Sequence, residues 1–373
     1  MMDNSGEWYR IKQPEKIDSP ALILYPERIK ENINTLKRMV NGTEKIRPHV
    51  KTSKSKEAVM LMMEAGIKKF KCATIAEAEM LAICGAPDVL LAYQLNSTKL
   101  LRFVSLIQYY PKTSFSCLVD NIQSAKLISS TAATSGIVIS VFIDLNIGMN
   151  RTGISPGNKA IDLYETIVKL PGIKLAGLHA YDGHIHEMDL IKKTELCNKD
   201  FTAVEEMRKV LKTKGYPMPL VVAGGSPTFS IHAQRENSEC SPGTFIFWDK
   251  GYHDALPEQH FLFAALVISR VISIPAEGTI CIDLGHKSIA SENDLQHRVF
   301  FLNAPHLKPI SHSEEHMVVD ARKDHSFKVG DLLYVLPIHI CPTVALYSHA
   351  VCIESGKIAG NWQIIARDRQ IIH

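Results

Sequence analysis

Hydrophobic positions along the chain follow two periods that alternate from about residue 20 to residue 250. Short β-branched or apolar runs, such as IVISVFIDL at 137–145, are separated by segments in which apolar residues recur every three or four positions. In the first of these segments, which begins after Pro26, the apolar positions are Ile29, Ile33, Leu36 and Val40. The two periods are typical of strands and amphipathic helices, so their alternation predicts repeated βα units around a parallel sheet.

Eight strands are predicted in this part of the chain, at 46–50, 69–73, 88–93, 114–119, 137–145, 173–180, 219–223 and 242–247. Helical segments fit between them, for example at 57–66, 76–86, 160–170 and 189–214. Eight such units predict an α/β protein with a (β/α)8 TIM barrel, in which the chemistry lies at the carboxyl ends of the strands.

The pattern changes near residue 263. The runs that follow, among them FAALVISRVISI, HMVVDA and DLLYVLPI, are strand-like and are joined by turns without long helices. This favours a C-terminal, mainly antiparallel β domain. We therefore expect a barrel at 20–262 and a β domain at 263–373 that also takes in residues 1–19.

Composition and charge limit the kinds of molecule that the protein is expected to bind. Charged residues make up 22% of the chain and the net charge is +3, which indicates neither nucleic acid nor a membrane as a partner and favours small molecules. The eight cysteines form no CxxC pair, as expected in a reducing compartment. Because the N-terminus lacks a signal-peptide pattern and no apolar run reaches about 20 residues, the sequence predicts a cytoplasmic protein.

Reactive side chains follow several of the predicted strands. Lys51 follows the first strand, the turn DLNIGMNRTG follows the fifth, and AGGSPT follows the seventh. The end of the sixth strand carries His179, Tyr181, Asp182, His184 and His186. Since strand ends meet on one face of a barrel, these groups are expected to lie together.

Lys51 is the best candidate nucleophile, because a partly desolvated lysine has a lowered pKa and can attack an aldehyde. The alternative is an ordinary basic loop shared with Lys54 and Lys56. Arg151 lies between Gly148 and Gly153, which let the backbone turn tightly and aim the guanidinium inward towards a phenolate oxygen, although an exposed surface arginine fits equally well.

Two further sets of residues could bind a phosphate or a metal, but the sequence alone does not decide their roles. The backbone N–H groups of Gly224, Gly225 and Ser226 could surround a phosphate that Gly243 and Thr244 complete, or these glycines could be simple turn residues. His339 and Cys341 are two residues apart. If they lie on a strand, they share a face and could bind zinc, whereas the alternative is a packed histidine beside a buried cysteine.

Taken together, these motifs resemble the D-threonine aldolase and D-serine dehydratase family, a branch of the fold-type III pyridoxal-phosphate enzymes related to alanine racemase. The motifs that carry the resemblance are RPHVKT, D-x-x-x-G-x-x-R-x-G at 144–153, GLHAYDGH at 177–184, AGG at 223–225, PGTFIFWD at 242–249, SEEH at 313–316 and PIHICPT at 337–343. The resemblance spans nearly the whole chain, from IDSPALIL to WQIIARD.

The resemblance implies an alanine racemase-like barrel with a β domain, assembled as a homodimer. It implies that Lys51 holds pyridoxal 5'-phosphate as a Schiff base, that Arg151 contacts the phenolic oxygen of the cofactor and that Tyr181 is an active-site tyrosine. The implied phosphate binders are Gly224, Gly225, Gly243 and Thr244, and the implied ligands of a divalent metal, zinc or manganese, are His339 and Cys341. The chain departs from the family at Ser53, where a histidine is frequent, and at Ser226 and Pro227, where a second glycine-rich turn is usual.

The implied activity is a lyase acting on D-3-hydroxy amino acids. One version is aldol cleavage to glycine and an aldehyde, with His179, His184 or a metal-bound water as the base. The other is dehydration to an oxo acid and ammonia, with Lys51 as the base at Cα. His-x-Cys favours the dehydratase, whereas the whole-chain resemblance favours the aldolase. A racemase and a non-catalytic cofactor-binding protein are the alternatives; the first would need a second base, and His339 with Cys341 argues against the second.

Overall fold

A computed structural model describes residues 7–372 of the chain. The contacts divide the chain into two compact units that interleave along the sequence. The first unit comprises the residues up to Ile33, Thr52–Ala58 and Thr244–Arg367. The second comprises Asn34–Lys51, Val59–Gly243 and the residues from Asp368 onward. The domain boundaries expected from the sequence, 20–262 and 263–373, remain a prediction. The two units are defined by contacts alone and do not show which part of the chain has which function.

The helices are α1 (Pro26–Val40), α2 (Lys56–Glu64), α3 (Ile75–Ile83), α4 (Ser97–Tyr109), α5 (Ile122–Thr134), α6 (Asn158–Ile167), α7 (Leu190–Thr213), α8 (Phe229–His232), α9 (Lys250–Ala255) and α10 (Ile340–Ala345). The strands are β1 (Ala21–Leu24), β2 (Lys69–Cys72), β3 (Asp88–Gln94), β4 (Ser114–Val119), β5 (Ile139–Leu145), β6 (Ile173–Ala180), β7 (Val221–Ala223), β8 (Ser238–Cys240), β9 (Ala265–Ala276), β10 (Thr279–Ile282), β11 (Val299–Phe301), β12 (Lys308–His312), β13 (Met317–Asp320), β14 (Leu332–Pro337), β15 (His349–Glu354) and β16 (Lys357–Gln363). Within residues 7–372, no helix is long and apolar enough to cross a lipid bilayer.

The second unit is built on a parallel sheet of seven strands, β2 to β8, that neighbour one another in chain order. The segment at 46–50 lies against both edges of this sheet. Ile46 forms an isolated parallel bridge with Cys240 on β8, and His49 forms one with Lys71 on β2. The predicted α/β barrel is therefore confirmed, with its first strand present as two bridges instead of a continuous strand.

Arg47 fixes the segment that closes the barrel. Its guanidinium is buried, and it donates to Glu239 Oε2 over 2.6 Å and to Asp88 Oδ1 over 2.6 Å. Charge-assisted hydrogen bonds of this kind hold a side chain in one geometry, and removing one partner leaves a buried charge uncompensated. The ion pairs therefore fix the backbone four residues before Lys51.

The strand predicted at 242–247 is wrong. The eighth paired strand lies earlier, at Ser238–Cys240, and Thr244–Ile246 forms a 3-10 turn. Pro242 has no N–H to donate to a ladder, which ends the strand before the apolar run begins. The other predicted barrel strands agree with β2 to β7 within two residues.

The first unit contains a nine-stranded, mostly antiparallel sheet. Its early member β1 pairs antiparallel with β9 and parallel with β15. Apolar side chains from these strands pack together in one cluster that includes Ile23, Leu266, Ile268 and Leu336. The predicted mainly antiparallel β domain is confirmed, and it recruits a strand from near the start of the chain.

Candidate active site

A buried histidine and aspartate face each other across the carboxyl ends of β5 and β6. Asp144 and His179 are register partners, and His179 Nδ1 lies 2.7 Å from Asp144 Oδ1. The second oxygen of Asp144 accepts hydrogen bonds from Thr152 Oγ1 over 2.8 Å and from Gln94 Nε2 over 2.7 Å. Because a carboxylate can only accept, His179 carries its proton on Nδ1, and Nε2 keeps a lone pair in the neutral ring.

The environment favours that neutral ring. Burial lowers the pKa of His179, and the charges of Lys71 and Arg151 lower it further, against the opposing effect of Asp144. Burial alone would raise the pKa of Asp144, but its hydrogen bonds with His179, Thr152 and Gln94 outweigh this effect and lower it. The pair is therefore a carboxylate beside a neutral imidazole, an arrangement suited to a general base.

Several polar side-chain atoms in this unit are buried without a hydrogen-bond partner among the described residues. They include His179 Nε2, His184 Nδ1 and Ser241 Oγ, the last of which lies two residues before Gly243. Buried polar atoms are nearly always paired in folded proteins, so such atoms indicate a place where a bound polar group is expected. This unit therefore fits a polar cofactor.

The ring of Tyr181 lies against two glycines, at positions where a side chain would clash with it. A Cβ on Gly183 would lie 2.2 Å from Tyr181 Cε1, and a Cβ on Gly225 would lie 3.0 Å from Cε2. Two cations face the ring: Arg151 Cζ is 5.5 Å from its centroid and Lys71 Nζ is 5.4 Å from it. The predicted residues Arg151, Tyr181 and Gly225 are thus brought together, with a second cation that the sequence did not indicate.

Lys71 is the residue that sequence reasoning missed. Its side chain is buried on β2, and burial together with the charge of Lys51 lowers the pKa of Lys71 to about 7, against Asp144 and Asp182. The strand alternation of KFKC would put Lys71 on the same face as the partly exposed Lys69 and so towards solvent. Both faces of a barrel strand are covered, however, so this alternation does not lead to solvent. The sequence feature that could have indicated a functional Lys71 is a charged residue within a strand predicted to be internal.

Lys51 lies at the end of the closing segment, and its side chain is exposed. The backbone N–H of Lys51 donates to His49 Nδ1 over 3.3 Å. The expectation that Lys51 is itself partly desolvated is therefore wrong for this structure, and the desolvated amine is the neighbouring Lys71. An exposed amine remains accessible to an aldehyde, which is what covalent attachment of a cofactor needs.

The glycines predicted to bind phosphate occupy tight backbone positions. Gly224 has a φ of +74°, and a Cβ there would lie 2.9 Å from Phe229 Cα. Gly243 donates to Ser226 Oγ over 3.4 Å, and Thr244 follows Gly243 as a buried residue at the start of the 3-10 turn. Steric reasons alone account for glycine at Gly224 and Gly225, so the phosphate role of Gly224, Gly225, Gly243 and Thr244 remains a prediction.

The other two predicted histidines after β6 are partly or fully exposed. His184 Nε2 lies 2.8 Å from Asp200 Oδ2, and a Cβ on Gly148 would clash with its ring at 2.4 Å. His186 is exposed. Of these three histidines, His179 is the one whose whole side chain is buried, and its Nε2 keeps a free lone pair.

Among the described residues, one group of three side chains could hold a metal by type and spacing: Asp182, Cys197 and His232, whose ligand atoms all lie within 4.8 Å of one another. Arg235 Nε donates to His232 Nδ1 over 3.2 Å, so His232 carries its proton on Nε2, which lies 2.9 Å from Asp182 Oδ2. Burial and the charge of Asp182 raise the pKa of Cys197 to about 12. These hydrogen bonds satisfy the group internally and fix the residue that follows Tyr181.

In the first unit, His339 and Cys341 lie at the start of a helix and not on the strand that was expected. Strand β14 ends at Pro337, His339 is the N-terminal cap residue of α10 and Cys341 lies in its first turn. Pro342 was the signal for this helix start, because proline is well accommodated in a first turn. The two side chains nonetheless interact, because Cys341 raises the pKa of His339.

Polar groups of the same unit surround this pair. Thr52 Oγ1 lies 3.1 Å from Cys341 Sγ, and Thr244 Oγ1 lies 3.7 Å from it. Burial would lower the pKa of His339, but its interactions with Cys341 and Glu292 and the charge of Asp249 raise it to about 9. The donor set, an imidazole and a thiol, is one that zinc binds readily.

Two family models match the chain. Residues 25–250 match the N-terminal domain of alanine racemase, and residues 264–353 match a putative serine dehydratase domain. The chain belongs to the alanine racemase N-terminal domain family. This family domain includes Lys51, Arg151, His179, Tyr181, Gly225 and Lys71, whereas His339 and Cys341 lie in the serine dehydratase-like segment.

Full-length relatives of this alanine racemase-like chain are similar at low identity. D-threonine aldolase of an Arthrobacter species is 24% identical, over 94% of this chain and 93% of its own length. D-threo-3-hydroxyaspartate dehydratase of Delftia sp. HT23 is 23% identical, over 93% of this chain and 97% of its own length. A cysteine-to-alanine variant of an enzyme of that name, described as the metal-free form, has a TM-score of 0.81 at 21% identity, covering 93% of this chain and 97% of that structure.

The solved structures include D-threonine aldolase from Filomicrobium marinum, with a TM-score of 0.86 at 24% identity, covering 94% of this chain and 96% of that one. At this identity the likeness shows the fold. The predicted alanine racemase-like fold, a parallel barrel sheet with a mostly antiparallel second sheet, is confirmed by it.

Proposed function

We propose that this chain is a pyridoxal-phosphate- and divalent-metal-dependent lyase that acts on D-3-hydroxy amino acids. The observation that carries the proposal is the buried, unpartnered Nε2 of His179, in the barrel that also carries Lys51, Lys71, Arg151 and Tyr181. The relatives support the substrate class, because the similar proteins named D-threonine aldolase and D-threo-3-hydroxyaspartate dehydratase match nearly the full chain.

Bound pyridoxal phosphate supplies an aldehyde for covalent attachment and a ring that accepts the electron pair released at the substrate Cα. The chain's own residues hold and orient it. The Lys51 amine makes the covalent attachment, the Arg151 guanidinium donates to the phenolic oxygen, and Tyr181 packs beside the ring. Backbone N–H groups of Gly224, Gly225 and Gly243, with Thr244, hold the phosphate.

We further propose that His339 and Cys341 hold the metal. A thiolate and an imidazole favour zinc over harder ions, although manganese remains the alternative that a metal titration would distinguish. Two protein ligands leave positions open, as a catalytic metal requires.

Two reactions share this site. In the dehydratase version, the Lys51 amine takes the proton from Cα and hydroxide leaves Cβ, giving an oxo acid and ammonia. In the aldolase version, a base removes the Cβ hydroxyl proton and the Cα–Cβ bond breaks, giving glycine and an aldehyde. His179 has the features of such a base, because Asp144 holds its proton on Nδ1 and leaves Nε2 free to accept one.

The proposal extends to assembly and location. The family resemblance supports a homodimer, and the eight scattered cysteines, none of which is in a disulfide bond in the described part of the chain, support a cytoplasmic location. Size-exclusion chromatography with light scattering would test the first, because a homodimer of a 41.6 kDa chain has twice that mass.

The function is tested by incubating the purified, metal-loaded holoenzyme with D-threonine, D-serine and D-threo-3-hydroxyaspartate and measuring glycine, aldehyde, oxo acid and ammonia. Glycine with aldehyde would identify an aldolase, and oxo acid with ammonia a dehydratase. Interconversion of D- and L-amino acids without these products would identify a racemase. Cofactor binding without turnover would identify a cofactor-binding protein and contradict the proposed lyase.

A further inference from the structure

A carboxylate far away in sequence holds the imidazole of His339. His339 Nδ1 is hydrogen-bonded to Glu292 Oε1, 47 residues earlier in the chain. A carboxylate oxygen can only accept, so Nδ1 carries the proton in the neutral ring and Nε2 keeps the lone pair. Histidines that ligate metals nearly always donate their other ring N–H to such a partner, which fixes the tautomer and orients the ring.

The segment that carries Glu292 is fastened to the start of α10 by a single hydroxyl group. Thr343 Oγ1 donates to the carbonyl oxygen of His339 over 2.9 Å and accepts the N–H of Ala290 over 3.1 Å. Thr343 is buried, so this bridge is shielded from water. The bridge therefore places Ala290, two residues before Glu292, next to the backbone of His339.

The other end of the cap is fixed by Asp249, whose Oδ2 accepts the backbone N–H of Ile340 over 3.1 Å. On the sulfur side, the hydroxyl of Thr52 lies 3.1 Å from Cys341 Sγ and can donate to a thiolate there. Both supporting residues are buried. The backbone on each side of His339 is therefore fixed before any ion binds, which leaves the ring rotation of His339 as the freedom that Glu292 removes.

We propose that Glu292 is a positioning residue for metal binding: it orients the ring of His339 and fixes its tautomer so that Nε2 is the ligand atom. This inference rests on the proposed metal role of His339 and Cys341. A plain surface ion pair is the alternative, because the side chains of Glu292 and His339 are 45% and 44% exposed. Exposed pairs contribute little to stability, so the two interpretations differ in metal affinity and not in the stability of the metal-free protein.

The experiment compares zinc affinity of the full-length, chelator-treated protein with that of E292A and E292Q, by competition with a chromophoric chelator. We expect E292A to bind zinc 10- to 100-fold more weakly, the range found when such partners are removed. E292Q keeps an oxygen acceptor without the charge, so it should lie between E292A and the wild type. Thermal unfolding of the metal-free variants should match that of the wild type, which would show that both fold normally.

The matched control is E277Q, because Glu277 belongs to the same unit and forms an exposed ion pair with Lys323. Its zinc affinity should equal that of the wild type. If the wild type binds zinc and E292A binds it equally well, the role of Glu292 is overturned while the proposed metal site stands. If the wild type binds no metal at the site, or H339A binds zinc as the wild type does, both the inference and the proposed metal role are overturned.

Discussion

Asp144 holds the proton of His179 on Nδ1, over a distance of 2.7 Å between the two side chains. The contact joins neighbouring strands at the same register, so the barrel itself sets the geometry. Its consequence is a buried imidazole whose second nitrogen has a free lone pair and no partner among the described residues. The aldolase version of the proposed chemistry depends on this arrangement, because it needs a base for the hydroxyl proton.

For aldol cleavage with His179 as the base, we predict that D144N lowers kcat/KM by at least about 10-fold, since general-base groups contribute roughly 10²- to 10⁴-fold. Asp144 raises the pKa of His179, whereas burial, Lys71 and Arg151 lower it. Removing the carboxylate should therefore lower the pKa of His179 further. The acid limb of the pH profile of kcat/KM should therefore move to lower pH. Steady-state kinetics between pH 5 and pH 9 would measure both effects.

D162N provides the control, because Asp162 lies exposed on α6 and outside the proposed site. Its kinetics should equal those of the wild type. An acid limb that D144N leaves unchanged would exclude His179 as the group that titrates there.

The barrel could be predicted from sequence because each βα unit keeps its own periodicity, and Lys51 could be placed because it follows a short strand-like run. Lys71 could not be placed correctly, because alternation within KFKC suggests a solvent face that a closed barrel does not have. The strand predicted at 242–247 failed at Pro242, which cannot donate to a ladder.

Contacts across long sequence separations were beyond the patterns in the sequence. His339 and Cys341 were identified as a candidate pair by their spacing, but their helix was missed although Pro342 indicated it. Glu292 was not identified at all, because nothing in its local sequence connects it with a histidine 47 residues later.

We predict that K71M is more stable than the wild type at neutral and acidic pH. Folding lowers the pKa of Lys71 from its ordinary 10.5 to about 7, so the unfolded chain binds this proton more tightly. The cost of burying the charge is complete below pH 7 and amounts to up to roughly 5 kcal/mol. It disappears as the pH rises from 7 towards 10.5, where both states are neutral, so the advantage of K71M should shrink over that window.

Urea unfolding of the cofactor-free proteins at pH 6, 8 and 9.5 would measure this trend. K68M provides a comparison, because Lys68 is exposed and its replacement should change stability little at every pH. A constant difference between K71M and the wild type across the three pH values would contradict the buried, pKa-shifted amine.

We predict that chelation abolishes turnover and that added zinc or manganese restores it. C341A should lose metal and activity together, because the thiolate is one of the two proposed protein ligands. C84A should retain both, since Cys84 is the C-terminal cap residue of α3 on the barrel and lies outside the proposed site. Metal content by mass spectrometry and product formation would be measured on the same samples. Full activity of metal-free C341A would remove the metal from the mechanism.

The central claim is that Lys51 holds a pyridoxal cofactor in a lyase. Its most direct measurement is the visible absorbance and the product yield of the wild type, K51A and K68A, each with added cofactor, zinc and D-threonine or D-threo-3-hydroxyaspartate. The account predicts that the wild type and K68A show a covalently bound cofactor and release either glycine with aldehyde or oxo acid with ammonia, whereas K51A does neither. A colourless wild type, or a K51A variant with wild-type turnover, would contradict it.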